Sequence, residues 1–148
     1  MLPETERGVL QQYQTRFEIR THGQGLTEFT HMVEGWLEEC AISNGVLTVF
    51  CAHTSASLTI QENADPDVQH DLQIFFKRLV AEDPGLYRHI CEGPDDMPAH
   101  IRAALTNVSL SIPVQNGRAV LGTWQGIYLF EHRNAPHRRQ IHLHVIGQ

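Results

Sequence analysis

Lysine is almost absent from this chain of 148 residues: Lys77 is the only one. Mechanisms that depend on a lysine, such as Schiff-base formation or the lysine of a phosphate-binding loop, are therefore poorly supported. The chain also lacks an excess of positive charge, because its formal net charge is -6. Binding to nucleic acid requires a basic surface that neutralises phosphates, so the sequence predicts no nucleic-acid partner.

Long apolar runs and paired cysteines are lacking as well. No apolar stretch is long enough to span a bilayer, and the segment from Met1 to Glu6 lacks the basic and apolar regions of a signal peptide. The cysteines Cys40, Cys51 and Cys91 are odd in number and widely spaced, which fits reduced thiols better than a disulfide framework. We therefore expect a cytoplasmic protein with no membrane partner.

What the chain does contain is clear hydrophobic periodicity. A hydrophobic fraction of 41% in 148 residues is enough for one ordinary core, so we expect a single domain over 1–148. Alternation, β-branched residues and turn signals predict strands at 12–21, 46–51, 57–61, 108–114, 127–132 and 140–146. The pair Asn116-Gly117 predicts a tight hairpin turn, and we expect the last two strands to form a hairpin.

Three segments have the spacing of amphipathic helices. Thr27 is the expected N-cap of a helix that runs to Cys40. The pair Asp65-Pro66 suits the N-cap and first position of a helix continuing over 68–80. We expect that helix to bury one apolar stripe, which consists of Val68, Leu72, Phe75, Phe76 and Leu79. A shorter helix, capped by Asp95 or Asp96, carries His100 beside its apolar face.

Polar chemistry is concentrated in the stretch from Cys51 to Asp67, directly after an apolar strand. A rigid strand followed by an open loop is where a fold commonly presents functional groups. The alternative is a strand, a turn and a capped helix that bind nothing. Cys51 itself is not expected to be a nucleophile, because burial at the end of an apolar run disfavours the thiolate.

Three motifs together carry a family resemblance: Cys51–Ala56 with Glu62–Val68, His89 with Glu92–Ile101, and Leu121–Glu131. Their order and spacing closely resemble the YjbQ-like family of small bacterial and archaeal proteins, over nearly the whole chain. The resemblance implies an α+β fold in three layers (sheet, sheet, helices), with mostly antiparallel strands, two main helices and one short helix. It also implies a homotrimer.

Members of that family are often assigned a secondary thiamine-phosphate synthase activity. That reaction joins hydroxymethylpyrimidine diphosphate to thiazole phosphate and releases diphosphate, so the expected partner is a small phosphorylated metabolite. Loss of diphosphate is helped by neutralising the leaving group, normally with a divalent ion and arginines. We therefore expect a divalent metal cofactor, zinc or magnesium.

The candidate site residues come from the three motifs and the segments between them. His53, His89 and His100 are the predicted metal ligands, since three imidazoles leave one position open on a transition ion. The candidate catalytic residues are His53, Asn63, Asp71 and His100. The candidate residues for binding substrate and phosphate are Thr54, Ser55, Arg88, Asp95, Asp96, Trp124 and Gln125. We expect the three histidines to form one site with the helix start at 63–71.

Two other functions remain open on the residues alone. A metal-dependent hydrolase would use the same three histidines to activate water. A non-catalytic trimer would bind a phosphorylated metabolite without turning it over. Apolar surface around Ile74 and Trp124, beyond what one small core requires, supports the expectation of a trimer.

Overall fold

The computed structural model describes residues 8–148, so the segment Met1–Glu6 lies outside the described part of the chain. The strands are β1 (Gln11–Arg20), β2 (Gly25–Glu28), β3 (Gly45–Cys51), β4 (Ala56–Glu62), β5 (Ser109–Gln115), β6 (Arg118–Ala119), β7 (Gln125–Glu131) and β8 (Arg138–Gly147). The helices are α1 (Thr30–Cys40), α2 (Pro66–Leu79) and α3 (Asp96–Leu105), with a short 3-10 helix at Pro84–Leu86.

Two antiparallel sheets and the helices confirm the predicted α+β fold. One sheet has five strands in the order β1-β8-β3-β5-β6, and the other has three strands in the order β2-β7-β4. The core contains inward-facing side chains of both sheets and of α1, among them Leu47, Leu143, Leu58 and Val33, which are all buried. Alternation in β8 and β3 therefore places one face of the larger sheet against this core.

Two local signals in the sequence specify their elements as predicted. Asp65 is the N-cap of α2 and accepts a hydrogen bond from the backbone N–H of Asp67 at 2.9 Å, with Pro66 at the first helical position. Asn116 and Gly117 have φ values of 51° and 76°. Positive φ at both central residues is what the tight hairpin turn between β5 and β6 requires.

Two sequence expectations about the strands and α1 are wrong. Strands β7 and β8 do not form a hairpin, because β7 pairs with β2 and β4 while β8 pairs with β1 and β3. Thr27 is not a helix cap but a residue of β2, paired with Leu129. Helix α1 instead begins at Thr30 after Phe29, which provides no side-chain cap.

The apolar stripe expected to be buried on α2 is only partly covered, because Val68, Leu72 and Phe76 are half-buried and Phe75 and Leu79 are exposed. Helix α2 contains no buried residue. Phe75 and Leu79 are each 56% exposed, while Phe76 contacts the edge of Phe130 at a ring separation of 5.3 Å. One flank of α2 therefore packs on the three-stranded sheet and the other presents apolar side chains outward. No helix within residues 8–148 is long and apolar enough to cross a membrane.

Candidate metal centre and adjoining cavity

The loop after β3, the start of α3 and the loop after β7 meet at one end of the sheets. The backbone N–H of His132 donates to the carbonyl of Ser55 at 3.3 Å, which joins the loops after β7 and β3. His100 of α3 contacts the carbonyl of Thr54 at 2.8 Å. Polar groups separated by up to about half the chain are thus brought together.

A cluster of two imidazoles and one carboxylate lies at this junction. His89, Asp96 and His100 each offer a ligand atom, and these atoms lie within 4.8 Å of one another. Asp96 and His100 are one turn apart on α3, so they project from the same face of the helix. Oδ2 of Asp96 lies 2.6 Å from Nε2 of His89 and 3.0 Å from Nε2 of His100.

The hydrogen bonds fix which nitrogen of His100 carries a proton. A backbone carbonyl can only accept, so Nδ1 of His100 must donate to Thr54. In a neutral ring Nε2 then has only a lone pair, and that lone pair faces the carboxylate oxygen of Asp96. Such an arrangement is repulsive unless positive charge lies between the two atoms, supplied by a second proton on the ring or by a metal ion.

The carboxylate of Asp96 is held rigidly from its other side. Its exposed fraction is 2%, and Nη1 of Arg133 donates to its Oδ1 at 2.7 Å. The Nε of Arg133 donates to Asp95 at 3.0 Å, so one guanidinium joins both carboxylates. Burial alone would raise the pKa of Asp96, but hydrogen bonding from His89 and the charges of His100 and Arg133 outweigh it and lower that pKa.

The donor set fits a transition ion. Two imidazole nitrogens and one carboxylate oxygen suit zinc and related ions, whereas magnesium prefers oxygen ligands and retained water. Ligands in metal sites are oriented by hydrogen bonds to groups outside the coordination sphere. Two such contacts are present here: Nδ1–H of His100 donates to the carbonyl of Thr54, and the carboxylate of Asp96 accepts from Arg133. The structure thus places Asp96 with His89 and His100, where the sequence prediction had His53.

His53 lies beside this cluster, on the wall of a cavity of ≈ 380 Å³ that His100 also lines. The other lining residues are Thr54, Ala56, Ala103, Ala104, Thr106 and Val108. The backbone N–H of Gln140 donates to Nε2 of His53 at 2.7 Å, and Nη1 of Arg139, a group that can only donate, lies 3.4 Å from its Nδ1. Burial, followed by the charge of Arg139, lowers the pKa of His53 and favours the neutral ring.

A buried ion pair supports the wall behind His53. The guanidinium of Arg139 donates through Nε and Nη2 to the carboxylate of Glu131, and Nη2 also donates to Oγ of Ser55 at 3.0 Å. Burial alone would raise the pKa of Glu131, but the hydrogen bond from Arg139 and two further hydrogen bonds lower it. Sequence reasoning missed this pair, although Arg139 stands two residues before Ile141 on the inward face of β8.

Comparison with other proteins decides the family. A family model described as UPF0047 protein YjbQ-like matches residues 15–148. A UPF0047 protein of Synechocystis sp. is 53% identical over 137 residues, which cover 93% of this chain and 93% of that protein. This chain belongs to the UPF0047 YjbQ-like family. The UPF0047 protein YugU of Bacillus subtilis is 38% identical over 122 residues, covering 82% of this chain and 89% of that protein.

Solved structures of YjbQ-like proteins have the same fold. A YjbQ-like protein from Sulfolobus solfataricus superposes with a TM-score of 0.87 at 26% identity, covering 95% of this chain and all of that one. A protein from Aeropyrum pernix superposes with a TM-score of 0.84 at 30% identity, covering 92% of this chain and 99% of that one. The two-sheet architecture that positions the histidine cluster is therefore the family's architecture.

Four predicted site residues of this YjbQ-like chain lie away from the cluster: Asn63, Asp71, Trp124 and Gln125. Glu62 at the end of β4 pairs with Gln125, whereas Ala56 at its start pairs with Glu131. The seven residues of β4 span about 20 Å at ~3.3 Å per residue. Asn63, which donates to Glu28 at 3.1 Å, and its neighbours thus lie at the opposite end of this strand pair.

The remaining predicted residue, Arg88, is exposed in the linker between α2 and α3, one position before His89. Within one chain the structure therefore groups His53, Thr54 and Ser55 with His89, Asp95, Asp96 and His100. It does not bring the helix start at 63–71 to them. Arg133, which sequence reasoning missed, is the residue that ties the two carboxylates of this group together.

Proposed function

We propose that this YjbQ-like protein is a metal-dependent transferase that acts on a small phosphorylated metabolite. The reaction that the family resemblance indicates is that of a thiamine-phosphate synthase. It joins hydroxymethylpyrimidine diphosphate to thiazole phosphate with release of diphosphate. The observation that carries the metal dependence is Oδ2 of Asp96, which faces Nε2 of both His89 and His100.

The geometry favours a bound cation at this point. With Nδ1–H of His100 committed to the carbonyl of Thr54, its Nε2 lone pair and the Asp96 carboxylate converge on one spot. A divalent ion there would neutralise the negative charge that develops on a leaving diphosphate. Zinc is the better of the two expected ions, because two of the three donors are imidazole nitrogens.

The residues of the adjoining cavity supply binding and orientation. His53 lines the cavity, and its Nδ1 lies 3.4 Å from Nη1 of Arg139, whose positive charge favours an anionic ligand beside this wall. Thr54 also lines the cavity, whereas the hydroxyl group of Thr106 is bonded within the protein, 2.6 Å from Oγ of Ser57 and 2.9 Å from the carbonyl of Arg102. Ala56 and Ala103 have short apolar side chains, which leave room for a flat heteroaromatic ring such as a pyrimidine.

Activity of purified protein with the two named substrates tests this function. We expect thiamine phosphate to form, and its formation to stop after chelation and resume when zinc is restored. Asp96→Asn and His100→Ala should remove the activity, because each deletes one ligand. His31→Ala, an exposed histidine of α1, is the matched control and should keep it. Failure of the wild-type protein to form product at any metal loading would reject the proposed reaction.

A metal-dependent hydrolase is the second candidate, and the number of protein ligands favours it. Three protein donors leave a coordination position for water, as in hydrolytic zinc sites. The same assay separates the candidates, because a hydrolase releases phosphate or diphosphate from the pyrimidine substrate without thiazole phosphate present. A transferase requires both substrates.

We also propose a homotrimer in which neighbouring subunits complete the site. Phe75 and Leu79 leave an apolar flank of α2 uncovered, and Trp124 is 61% exposed. A neighbour could bring Asn63 to the cluster around His100, which one chain does not. Mixing inactive Asn63→Ala with inactive His100→Ala subunits should then restore part of the activity. If mixed trimers form and stay inactive, the two groups do not share a site.

A further inference from the structure

A second cavity, of ≈ 320 Å³, lies apart from the histidine cluster. It is lined by Gln24, Lys77, Glu82, Arg102 and Asn134. Arg102 and His100 are both on α3, but two residues at about 100° each place their side chains on nearly opposite faces of the helix. The cavity is therefore separate from the one that His53 and His100 line.

The guanidinium of Arg102 is the unusual group in this cavity. Its side chain is 2% exposed, and its Nη2 donates to the carbonyl of Val80 at 2.9 Å. The Nε and Nη1 groups have no hydrogen-bond partner among residues 8–148. A buried guanidinium with unpaired N–H groups is costly, since both its charge and its donors have lost water.

The nearby carboxylate does not satisfy Arg102. Oε1 of Glu82 lies 3.7 Å from Nη1, beyond hydrogen-bonding distance. That oxygen instead accepts a hydrogen bond from Nε2 of Gln24 at 3.0 Å. Burial lowers the pKa of Arg102, and the ion pair with Glu82 together with the charges of Tyr87 and Asp95 only partly opposes it. With Lys77, the chain's one lysine, the lining residues carry two positive charges and one negative charge.

We propose that the cavity lined by Arg102 and Lys77 is a binding site for a phosphate group, either inorganic phosphate or that of a small phosphate monoester. An oxygen of the ligand accepts from Nη1 of Arg102, the side chain of Glu82 moves aside, and Lys77 provides the second cation. Phosphate suits this place because it accepts several charge-assisted hydrogen bonds at once. The site goes beyond the proposed reaction and does not depend on the histidine cluster.

One loop, after β7, contacts both this cavity and the histidine cluster. Asn134 lines it, and the backbone N–H of Asn134 donates to Oδ2 of Asp95 at 2.9 Å. The preceding residue, Arg133, holds Asp96. A ligand in this cavity thus contacts the same loop that positions the carboxylate of the cluster.

Because Lys77 is the only lysine, its labelling reports on this site directly. An amine-reactive acetylating reagent should modify Lys77 and the N-terminal amine, and mass spectrometry gives the two rates separately. We expect inorganic phosphate to slow acetylation of Lys77 but not of the N-terminal amine. The same experiment with phenyl phosphate tests a phosphate monoester. The experiment with acetate tests whether any anion protects Lys77.

Variants test whether Arg102 is required for phosphate binding. Arg102→Met should abolish protection of Lys77 by phosphate, whereas Arg78→Met, an exposed arginine next to Lys77, should keep it. Glu82→Gln should strengthen protection, because it removes the competing negative charge, and this arm remains informative if Arg102→Met fails to fold. The proposal is overturned if phosphate gives no protection, if Arg102→Met is protected like the wild type, or if Glu82→Gln weakens protection.

Protection that is stronger with phenyl phosphate than with inorganic phosphate identifies an organic phosphate as the better ligand. The opposite order identifies inorganic phosphate. Equal protection by acetate and phosphate would show a general salt effect and would overturn the proposal. None of these readouts requires catalytic turnover, so failure of the proposed reaction leaves this test intact.

Discussion

Nε2 of His100 lies 3.0 Å from Oδ2 of Asp96, the residue one helical turn before it in α3. The same carboxylate oxygen lies 2.6 Å from Nε2 of His89. Since Nδ1 of His100 is already a donor to Thr54, this convergence requires a proton or a metal ion at its centre. The function that we propose for this family member depends on that relationship.

Replacing Arg133 by lysine should weaken metal binding at the proposed site without removing a ligand. The guanidinium donates hydrogen bonds to Asp95 and Asp96 simultaneously, and the ammonium group of lysine cannot reproduce this pair of bonds. We expect zinc affinity, measured by competition with a chelating dye, to fall by about 10–100-fold, the range found for outer contacts of metal ligands. Arg78→Lys is the control and should bind zinc like the wild type. Unchanged affinity in Arg133→Lys would show that Asp96 is not positioned through this contact.

The buried pair of Glu131 and Arg139 should make stability depend on pH. The pKa of Glu131 is lowered in the folded protein from an ordinary value of 4.5. The pair therefore stabilises the fold at pH values above that ordinary pKa, and this contribution is lost as the pH falls through the lower, folded-state pKa. Glu131→Gln should cost about 3–5 kcal/mol at neutral pH, because it leaves a buried arginine unpaired.

Chemical denaturation of both proteins between neutral and acidic pH checks this expectation. The difference in unfolding free energy between wild type and Glu131→Gln should shrink progressively below about pH 4.5, because Glu131 is protonated first in the unfolded chain and only at its lower pKa in the folded protein. A difference that stays constant down to strongly acidic pH would contradict the assigned ion pair.

Cys51 should be inert in the folded protein. Its side chain is fully buried, and burial raises the pKa of its thiol to about 11. Iodoacetamide at mildly alkaline pH should therefore modify Cys91, which is exposed, and leave Cys40 and Cys51 unmodified. Cys51→Ser should retain turnover if it folds. Rapid alkylation of Cys51 in native protein, together with loss of turnover in a folded Cys51→Ser variant, would contradict this prediction.

The chain should assemble as a trimer. Light scattering should give three times the chain mass of 16.8 kDa. Replacing Phe75 and Leu79 on the exposed flank of α2 by glutamate should convert the trimer to monomers, because two charges would then lie in an apolar contact. The same replacements at Val9 and Leu10, which are also exposed, are the control. A wild-type monomer with full activity would rule the trimer out.

Elements with local signals were predictable from the sequence, whereas long-range pairing was not. Asp65 with Pro66 and Asn116 with Gly117 determine their cap and turn within a few residues, and the structure has both. The alternating pattern of β7 and β8 says which side chains face inward but not which sheet each strand joins. The short stretch between β7 and β8 therefore predicts a hairpin, although in the structure it crosses from one sheet to the other.

The candidate site was predictable to a similar extent. The sequence identifies His89, Asp96 and His100 as site residues but predicts phosphate binding for Asp96, because residue type alone does not show which side chains converge. The four-residue spacing of Asp96 and His100 on one helix was the signal for a shared site. The contact of Arg133 with Asp96 joins residues 37 positions apart and has no local signal.

An anomalous diffraction map from crystals of the metal-free protein soaked with zinc tests the central claim most directly. We predict one strong zinc peak at about 2 Å from Nε2 of His89, Nε2 of His100 and a carboxylate oxygen of Asp96, at normal metal-ligand distances. The peak should be absent from Asp96→Asn crystals of the same form. Zinc bound elsewhere, or by His53 in place of Asp96, would contradict the account.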